Sequence, residues 1–211
     1  MISIQLLILI LINTIFFLVL LLNSILSNEP SKYQSIVKAD TAILGIAFTQ
    51  YAVTFVLENS DVLEKDSLEF AQQLRYVDWL VTTPLLLYTY WKLAEIEGYK
   101  GDFGLLVIAD IFMIVCGIFA EVIFQNKPIA IWFYILGCLA FVLIIIKIID
   151  IMKFFSKSNM SSRKNLGWFF IFGWLIYPLG YFFTDNIKYI IYSIGDLINK
   201  GVYSLFLYDI I

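Results

Sequence analysis

Seven stretches of the chain are apolar for long enough to cross a bilayer, and short polar connections separate them. They run at about 3–26, 39–57, 76–91, 103–124, 129–149, 166–183 and 187–208. A spanning helix needs roughly 20 apolar residues, and continuous rather than alternating runs select helices over barrel strands. The pattern predicts an all-α, multi-pass membrane protein: a single domain over 1–211 built as a seven-transmembrane-helix bundle. No soluble domain of useful size fits beside it. The first stretch has neither a basic start nor a small-residue cleavage site, so it reads as a spanning helix rather than a signal peptide.

Composition narrows the chemistry. Apolar residues make up 61% and charged residues 15% of the 211 positions, against about 45–50% and about 25% in soluble domains. The net charge of -3 and the lack of a long basic run give nucleic-acid binding no electrostatic footing. There is no histidine, which removes a His base, a His-ligated zinc and a haem ligand. Cys116 and Cys138 lie in apolar stretches, where cysteine is a small packing residue. We expect no metal site, no disulfide framework and no enzyme.

Positive charge accumulates on the cytoplasmic side of membrane proteins. The connections after helices one, three and five hold Lys32, Lys38, Lys92, Lys100, Lys147, Lys153, Lys157, Arg163 and Lys164, whereas those after two, four and six hold only Lys65, Lys127 and Lys188. The N-terminus is therefore expected outside and the C-terminus in the cytoplasm. The second-to-third connection, with Glu58, Asp61, Glu64, Asp66 and Glu69, would be an acidic external loop.

Two cations remain, Arg75 and Lys200, and both fall within or at the edge of a spanning stretch. An ionisable group at the bilayer centre costs roughly 3 kcal/mol on insertion scales, so each needs a partner or a task. Asp196 stands one turn before Lys200, at i-4. Asp78 and Thr82 stand at +3 and +7 from Arg75, and Thr89 follows Asp78 by 11 residues, three turns with little angular drift. One polar stripe thus runs along helix three. If helices three and seven face each other, Arg75, Asp78, Asp196 and Lys200 form a cluster whose formal charges cancel. Ion pairs of this kind can serve packing alone. What argues for chemistry is the aromatic company: Tyr76, Trp79, Thr83 and Pro84 on helix three, and Trp174, Tyr177, Pro178 and Tyr181 on helix six. Flat rings suit an elongated apolar ligand, and a neutral buried amine forms a Schiff base with a carbonyl. A lysine in an aromatic slot points to an aldehyde-bearing chromophore.

These residues resemble the microbial (type 1) rhodopsins, bacteriorhodopsin-like seven-helix proteins that hold retinal as a Schiff base. The run Arg75-Tyr76-Val77-Asp78-Trp79-Leu80-Val81-Thr82-Thr83-Pro84-Leu85 is similar to the family's third-helix signature. Asp196-Leu-Ile-Asn-Lys200 resembles its seventh-helix motif, and Trp174-Leu-Ile-Tyr177-Pro178 its sixth. Ala47 to Tyr51 resembles the second-helix tract, and Ala109-Asp110 through Met113 and Gly117 the fourth. The resemblance implies that Lys200 carries all-trans retinal, that Asp78 and Asp196 are the counterions, and that Arg75 lies below them toward the outside. Thr82 would hydrogen-bond Asp78 or the Schiff-base proton. The pocket would be shaped by Tyr51, Trp79, Thr83, Met113, Gly117, Trp174, Tyr177, Pro178 and Tyr181, with Phe133 and Leu136 from helix five. Leu86 is the residue type that goes with green rather than blue absorption in related pigments. The resemblance also implies a homo-oligomer, trimer or pentamer, in a lipid bilayer. The heavy use of Ile, Lys, Asn, Phe and Tyr in a minimal chain resembles rhodopsins from large viruses of marine protists.

The departures matter too. Pumps of this family place a carboxylate where Thr89 stands, to return the proton; a threonine cannot supply it at neutral pH. Lys188 stands where the best-known pump has half of an acidic release pair, leaving Asp185 to serve. Tyr181 replaces a tryptophan, and Asn199 a small residue. The expected function is an outward light-driven proton pump with Asp78 as acceptor and no carboxylate donor at Thr89. Two alternatives are a light-gated cation channel, with Asn13, Asp40, Gln50 and Asn199 along its pore, and a photosensor that signals through a partner. Chloride pumping is disfavoured by the carboxylate at Asp78, and sodium pumping by the absence of its triplet.

Overall fold

A computed structural model describes residues 4–26, 31–58 and 67–211. The acidic connection around 61–66 lies outside the described residues. Among the described residues there are seven helical rods and no strand: α1 (Ile4–Leu26), α2 (Gln34–Glu58), α3 (Ser67–Ile96), α4 (Phe103–Ile118), α5 (Ala130–Lys157), α6 (Ser161–Trp174) and α7 (Asp185–Asp196). Three of them continue past these limits. A π-helical segment, Phe119–Ile123, extends α4; Ile176–Gly180 extends α6; and α7 runs through a π-helical segment, Leu197–Val202, into Tyr203–Tyr208.

Several helices outrun their apolar windows. The third starts at Ser67 rather than near 76, and the fifth ends at Lys157 rather than near 149. Backbone hydrogen bonding does not need apolar side chains, so a helix continues beyond the length that its hydropathy marks. The sixth and seventh are interrupted where their sequences say why. Pro178 has no N–H to give to the carbonyl of Trp174, and regular α-helix lapses there, with Leu175 N–H still reaching Ile171 O at 3.3 Å. Around Lys200 the turn widens, and the Tyr203 N–H bonds Ile198 O, five residues back.

Successive rods pack side by side, and the last closes the ring on α1. The third is central, touching α2, α4, α5 and α7. Helix faces sort cleanly: on α3 the Val77 and Val81 side chains face outward at 62% and 48% exposure, whereas Asp78 and Thr82 are buried. An apolar exterior around a polar seam inverts the arrangement of a soluble bundle and suits a lipid solvent. The lower core, built on Leu93, Ile148, Phe155 and Leu166, fills the half of the bundle near Ile96 and Ser161.

Candidate functional site

The polar stripe of α3 and the charged turn of α7 meet at the centre of the bundle. Arg75, Asp78, Asp196 and Lys200 are each 2% exposed or less. Lys200 Nζ is in direct hydrogen-bonded contact with Asp78 Oδ2, and lies 3.7 Å from Asp196 Oδ1. Arg75 Nε lies 3.5 Å from Asp196 Oδ2. The two cations and two anions thus form one neutral, desolvated cluster, which is the condition under which burying four charges is tolerable.

The two carboxylates are held differently. Asp196 accepts from Tyr51 Oη at 2.8 Å, Trp79 Nε1 at 2.8 Å and Tyr177 Oη at 2.9 Å. Rings from α2, α3 and the α6 extension therefore fix it from three sides. Asp78 receives one side-chain bond, from Thr82 Oγ1 at 3.3 Å, besides its contact with Lys200. Its Oδ1 is buried without a hydrogen-bond partner among the described residues. Asp196 is a fixed anion, and Asp78 keeps an acceptor edge to spare.

Beside this cluster lies a partly open, aromatic-lined cavity with about 710 Å³ of empty space, its open side included. Trp79, Thr83, Met113, Gly117, Trp174, Tyr177, Pro178 and Tyr181, all expected in the pocket, line it. Trp79 and Tyr177 also bond Asp196, so the cavity abuts the charged cluster through those two rings. Thr83 is itself braced, donating to Asp110 Oδ2 at 2.8 Å. Gly117 keeps the wall open, since a Cβ there would come within 2.9 Å of the Tyr76 ring.

Three expectations need correction. Phe133 does not line the cavity; it stacks on Phe119 and Phe124 at centroid distances of 4.9 and 5.3 Å, in a separate aromatic cluster. Leu136 points outward, 42% exposed. Tyr51 is not a wall residue but a ligand of the Asp196 carboxylate. Helix five instead contributes Tyr134, Gly137, Cys138 and Phe141. Those positions, like Ile114, Glu121 and Tyr192, carried no motif, whereas Tyr76, also in the wall, lies within the third-helix run. The one usable signal was Glu121, a carboxylate inside an otherwise apolar stretch.

Thr89, three turns along from Asp78, is fully buried and shares a hydrogen bond of 2.5 Å with Tyr203 Oη. Nearby, Ser204 Oγ donates to Asp40 Oδ2 at 2.5 Å. Asn199 ties the α6 backbone to α7, giving to Gly173 O and Gly195 O at 2.9 Å each. At the opposite end Lys188 is buried rather than free, paired with Glu121 at 3.5 Å and Asp185 at 3.7 Å.

A buried lysine paired with a carboxylate thus stands on the seventh of seven helices, beside an aromatic cavity. The bacteriorhodopsin-like protein family matches residues 2–211, and the chain belongs to that family, the microbial (type 1) rhodopsins. It is 30% identical over 153 residues to a green-light absorbing proteorhodopsin of a gamma-proteobacterium, a match covering 64% of this chain and 59% of that protein's length. It is 28% identical over 145 residues to Opsin-1 of Neurospora crassa, covering 63% and 47%. Among solved structures, the rhodopsin of Exiguobacterium sibiricum superposes with a TM-score of 0.78 at 25% identity, over 97% of this chain and 95% of that one. A rhodopsin of Coccomyxa subellipsoidea described as a light-driven proton pump superposes at 0.79, at 18% identity over 99% and 97%, a likeness of fold.

Membership implies a retinal chromophore linked through a lysine. The residues present fit that group: a cavity walled by rings abuts the cluster that holds the amine, and the Asp78 carboxylate paired with Lys200 has a spare acceptor atom.

Proposed function

We propose that this rhodopsin is a light-driven outward proton pump in which Lys200 bears all-trans retinal and Asp78 accepts the transported proton. The observation that carries the reading is the direct contact of Lys200 Nζ with Asp78 Oδ2, on a carboxylate held by a single hydroxyl. When bound, retinal supplies visible absorption and, on isomerising, the displacement that makes the proton on the Lys200 nitrogen leave.

The chain's own residues do the rest. Trp79, Trp174, Tyr177 and Pro178 clamp the slot and exclude water from the charged cluster. Asp196, fixed by three donors, stands 3.7 Å from the Lys200 nitrogen as a second carboxylate beside it. Asp78 sits where a proton leaving that nitrogen first meets a base, and Thr82 orients it. Arg75 beside Asp196 keeps the anion balanced whichever charge Asp78 carries. With threonine at 89 and no acid there, the proton returns to Lys200 from water on the Thr89 side. In this reading the N-terminus and the Arg75 end face outside and the C-terminus faces the cytoplasm, and the pigment assembles as a trimer or pentamer.

A light-gated cation channel is the second reading. Of its expected pore residues, Asn199 is held between α6 and α7 by two carbonyls and Asp40 by Ser204, whereas Asn13 and Gln50 bond only within their own helices, to Leu9 O at 3.0 Å and Thr54 at 3.2 Å. The photocurrent of cells supplied with all-trans retinal, recorded over a range of voltages and external pH, tests the choice. A pump gives an outward current that keeps its sign. Reversal near an ionic equilibrium potential would replace the pump by the channel, and light without current would leave the photosensor.

A further inference from the structure

The charged groups at the Arg75 end form a second cluster that the resemblance does not supply. Glu121 stands on the π-helical segment after α4, in a protein whose other π-helical segment carries Lys200; such segments recur at functional sites. Its carboxylate is enclosed, with 6% of the side chain exposed. Oε1 accepts from Tyr192 Oη at 2.7 Å, Oε2 accepts from Gln72 Nε2 at 2.7 Å, and Lys188 Nζ lies 3.5 Å from Oε2. Lys188 is 10% exposed, reaches Asp185 at 3.7 Å, and lies 5.7 Å from the centre of the Tyr181 ring. Residues of α3, α4, α7 and the α6 extension thus close on one ion pair.

That pair reaches the reaction centre through Tyr192, and also through Tyr76, which interacts with Glu121 and packs on Trp79 at 5.1 Å. Tyr192 gives its hydroxyl to Glu121, while its ring lies 5.7 Å from the Arg75 guanidinium and 5.4 Å from Trp79. Arg75 in turn pairs with Asp196 and donates to Ser193 at 2.9 Å. Lys188 precedes Asp196 by eight residues, about 12 Å along a helix, so the pair lies between the central cluster and the Arg75 end of the bundle.

We propose that Glu121 and Lys188 are the gate on the exit side of the proton path, an ion pair that seals the central cluster from that end and opens when charge moves at Asp78. The inference rests on the pump reading for its direction. When the proton passes from the Lys200 nitrogen to Asp78, one cation and one anion of the cluster are neutralised together, leaving Arg75 paired with Asp196 alone. Tyr192 lies against Arg75 and bonds Glu121, so a change of position at Arg75 weakens a hydrogen bond of the sealed pair. A desolvated pair held this way has two discrete states: its charges are either joined and dry or apart and hydrated.

Access of hydroxylamine to the retinal linkage on Lys200 in darkness tests the seal without relying on transport. The purified pigment is mixed with hydroxylamine and the decay of visible absorbance is normalised to the starting band, so that incomplete assembly does not enter the rate. Glu121→Gln and Lys188→Met are each expected to bleach about tenfold faster than the parent, as expected for a broken buried pair. The double variant should bleach no faster than either single one, because once one partner is gone the other seals nothing. Lys188→Arg should stay near the parent, and Tyr192→Phe should fall between. Single variants that bleach at the parent rate would overturn the gate, and so would effects that multiply in the double variant, which mark two independent packing defects. If either single variant yields no pigment, Tyr192→Phe decides: a parent-like rate overturns the gate. Light-driven pH change of the parent in the same preparation is read separately. Its absence defeats the pump reading while leaving the dark bleaching interpretable.

Discussion

Asp78 and Asp196 are both buried against Lys200, yet their surroundings predict opposite results for the same Asp→Asn change. In Asp196→Asn one oxygen can still serve Trp79 and Tyr177, which share Oδ1. The amide nitrogen must then replace Oδ2, 3.5 Å from Arg75 Nε. A donor is thereby set against a buried cation, and Arg75 loses its ion-pair partner among the described residues. Breaking a buried pair on one side costs about 3–5 kcal/mol. In Asp78→Asn the amide oxygen still accepts from Thr82 and Lys200, and Lys200 keeps Asp196 at 3.7 Å. That variant should lose about 1.5–3 kcal/mol, the range for one hydrogen bond to a charged group. Thermal bleaching of the pigment in detergent should separate the two, with the Asp196→Asn midpoint lower by roughly 10 °C and that of Asp78→Asn by only a few degrees. Proton movement should show the reverse emphasis, abolished in Asp78→Asn. Equal midpoints, or a less stable Asp78→Asn, would refute the assignment of Asp196 as the structural anion and Asp78 as the acceptor.

Lys200→Ala should remove the visible band while the apoprotein still inserts in the membrane; a retained band, read by absorption of purified protein, excludes Lys200 as the attachment site. Asp78→Asn should absorb to the red of the parent, because the positive charge on the Lys200 nitrogen loses its nearest anion, and an unshifted spectrum would contradict that pairing. Thr89→Asp should speed reprotonation of the Lys200 nitrogen after a flash, since it places an acid beside Tyr203; unchanged flash kinetics would put the return path elsewhere. Gly173→Ala should lower pigment yield and stability by about 1–3 kcal/mol, because its Cβ would fall 2.1 Å from Asn199 Oδ1; a parent-like bleaching midpoint would mean that Asn199 can turn aside.

How far the site was legible depended on where its information sits. The α3 stripe and the Asp196–Lys200 turn lie within single helices, so spacing alone placed each set on one face, and the buried positions follow that spacing. Pocket residues within motifs were found for the same reason. Phe133, Leu136 and the true α5 contacts depend on how α5 is rotated against its neighbours. An all-apolar helix carries no polar face from which to read that rotation. Nor could Lys188 be seen as half of a pair, because Glu121 reaches it only once the ends of α4 and α7 converge. The number of helices was legible from hydropathy, but their strength as membrane spans is uneven. By length and apolarity alone, only 34–57, 103–123 and 130–157 stand out among the described residues. Of the other four, the first is apolar over a shorter described stretch, Leu7–Leu22, while the third, sixth and seventh carry functional interruptions: Arg75 and Asp78 lie in one, the Pro178 break in another, and Asp196 with Lys200 in the last.

That unevenness bears on which side of the bundle limits the proposed cycle. Toward the Arg75 end the path is lined by charged groups already paired and close together: Asp78, Lys200, Asp196, Arg75 and then Glu121 with Lys188. A proton entering it shifts charge among groups that are preorganised to share it, without ordering new water. Toward Thr89 the bonds run between hydroxyls and amides, Thr89 with Tyr203 and Asn199 with Gly173, which lock α3 to α7 and α7 to α6, and the nearby carboxylate, Asp40, is held by Ser204 rather than by the central cluster. Neither Thr89 nor Asn199 yields a proton at neutral pH, so reprotonation from that side requires those bonds to part and water to enter between Asp40 and the Lys200 nitrogen. Release is therefore expected to be fast and proton return slow. An acid at Thr89 shortens the slow step without touching the fast one, whereas breaking the Glu121–Lys188 pair changes the exit side alone.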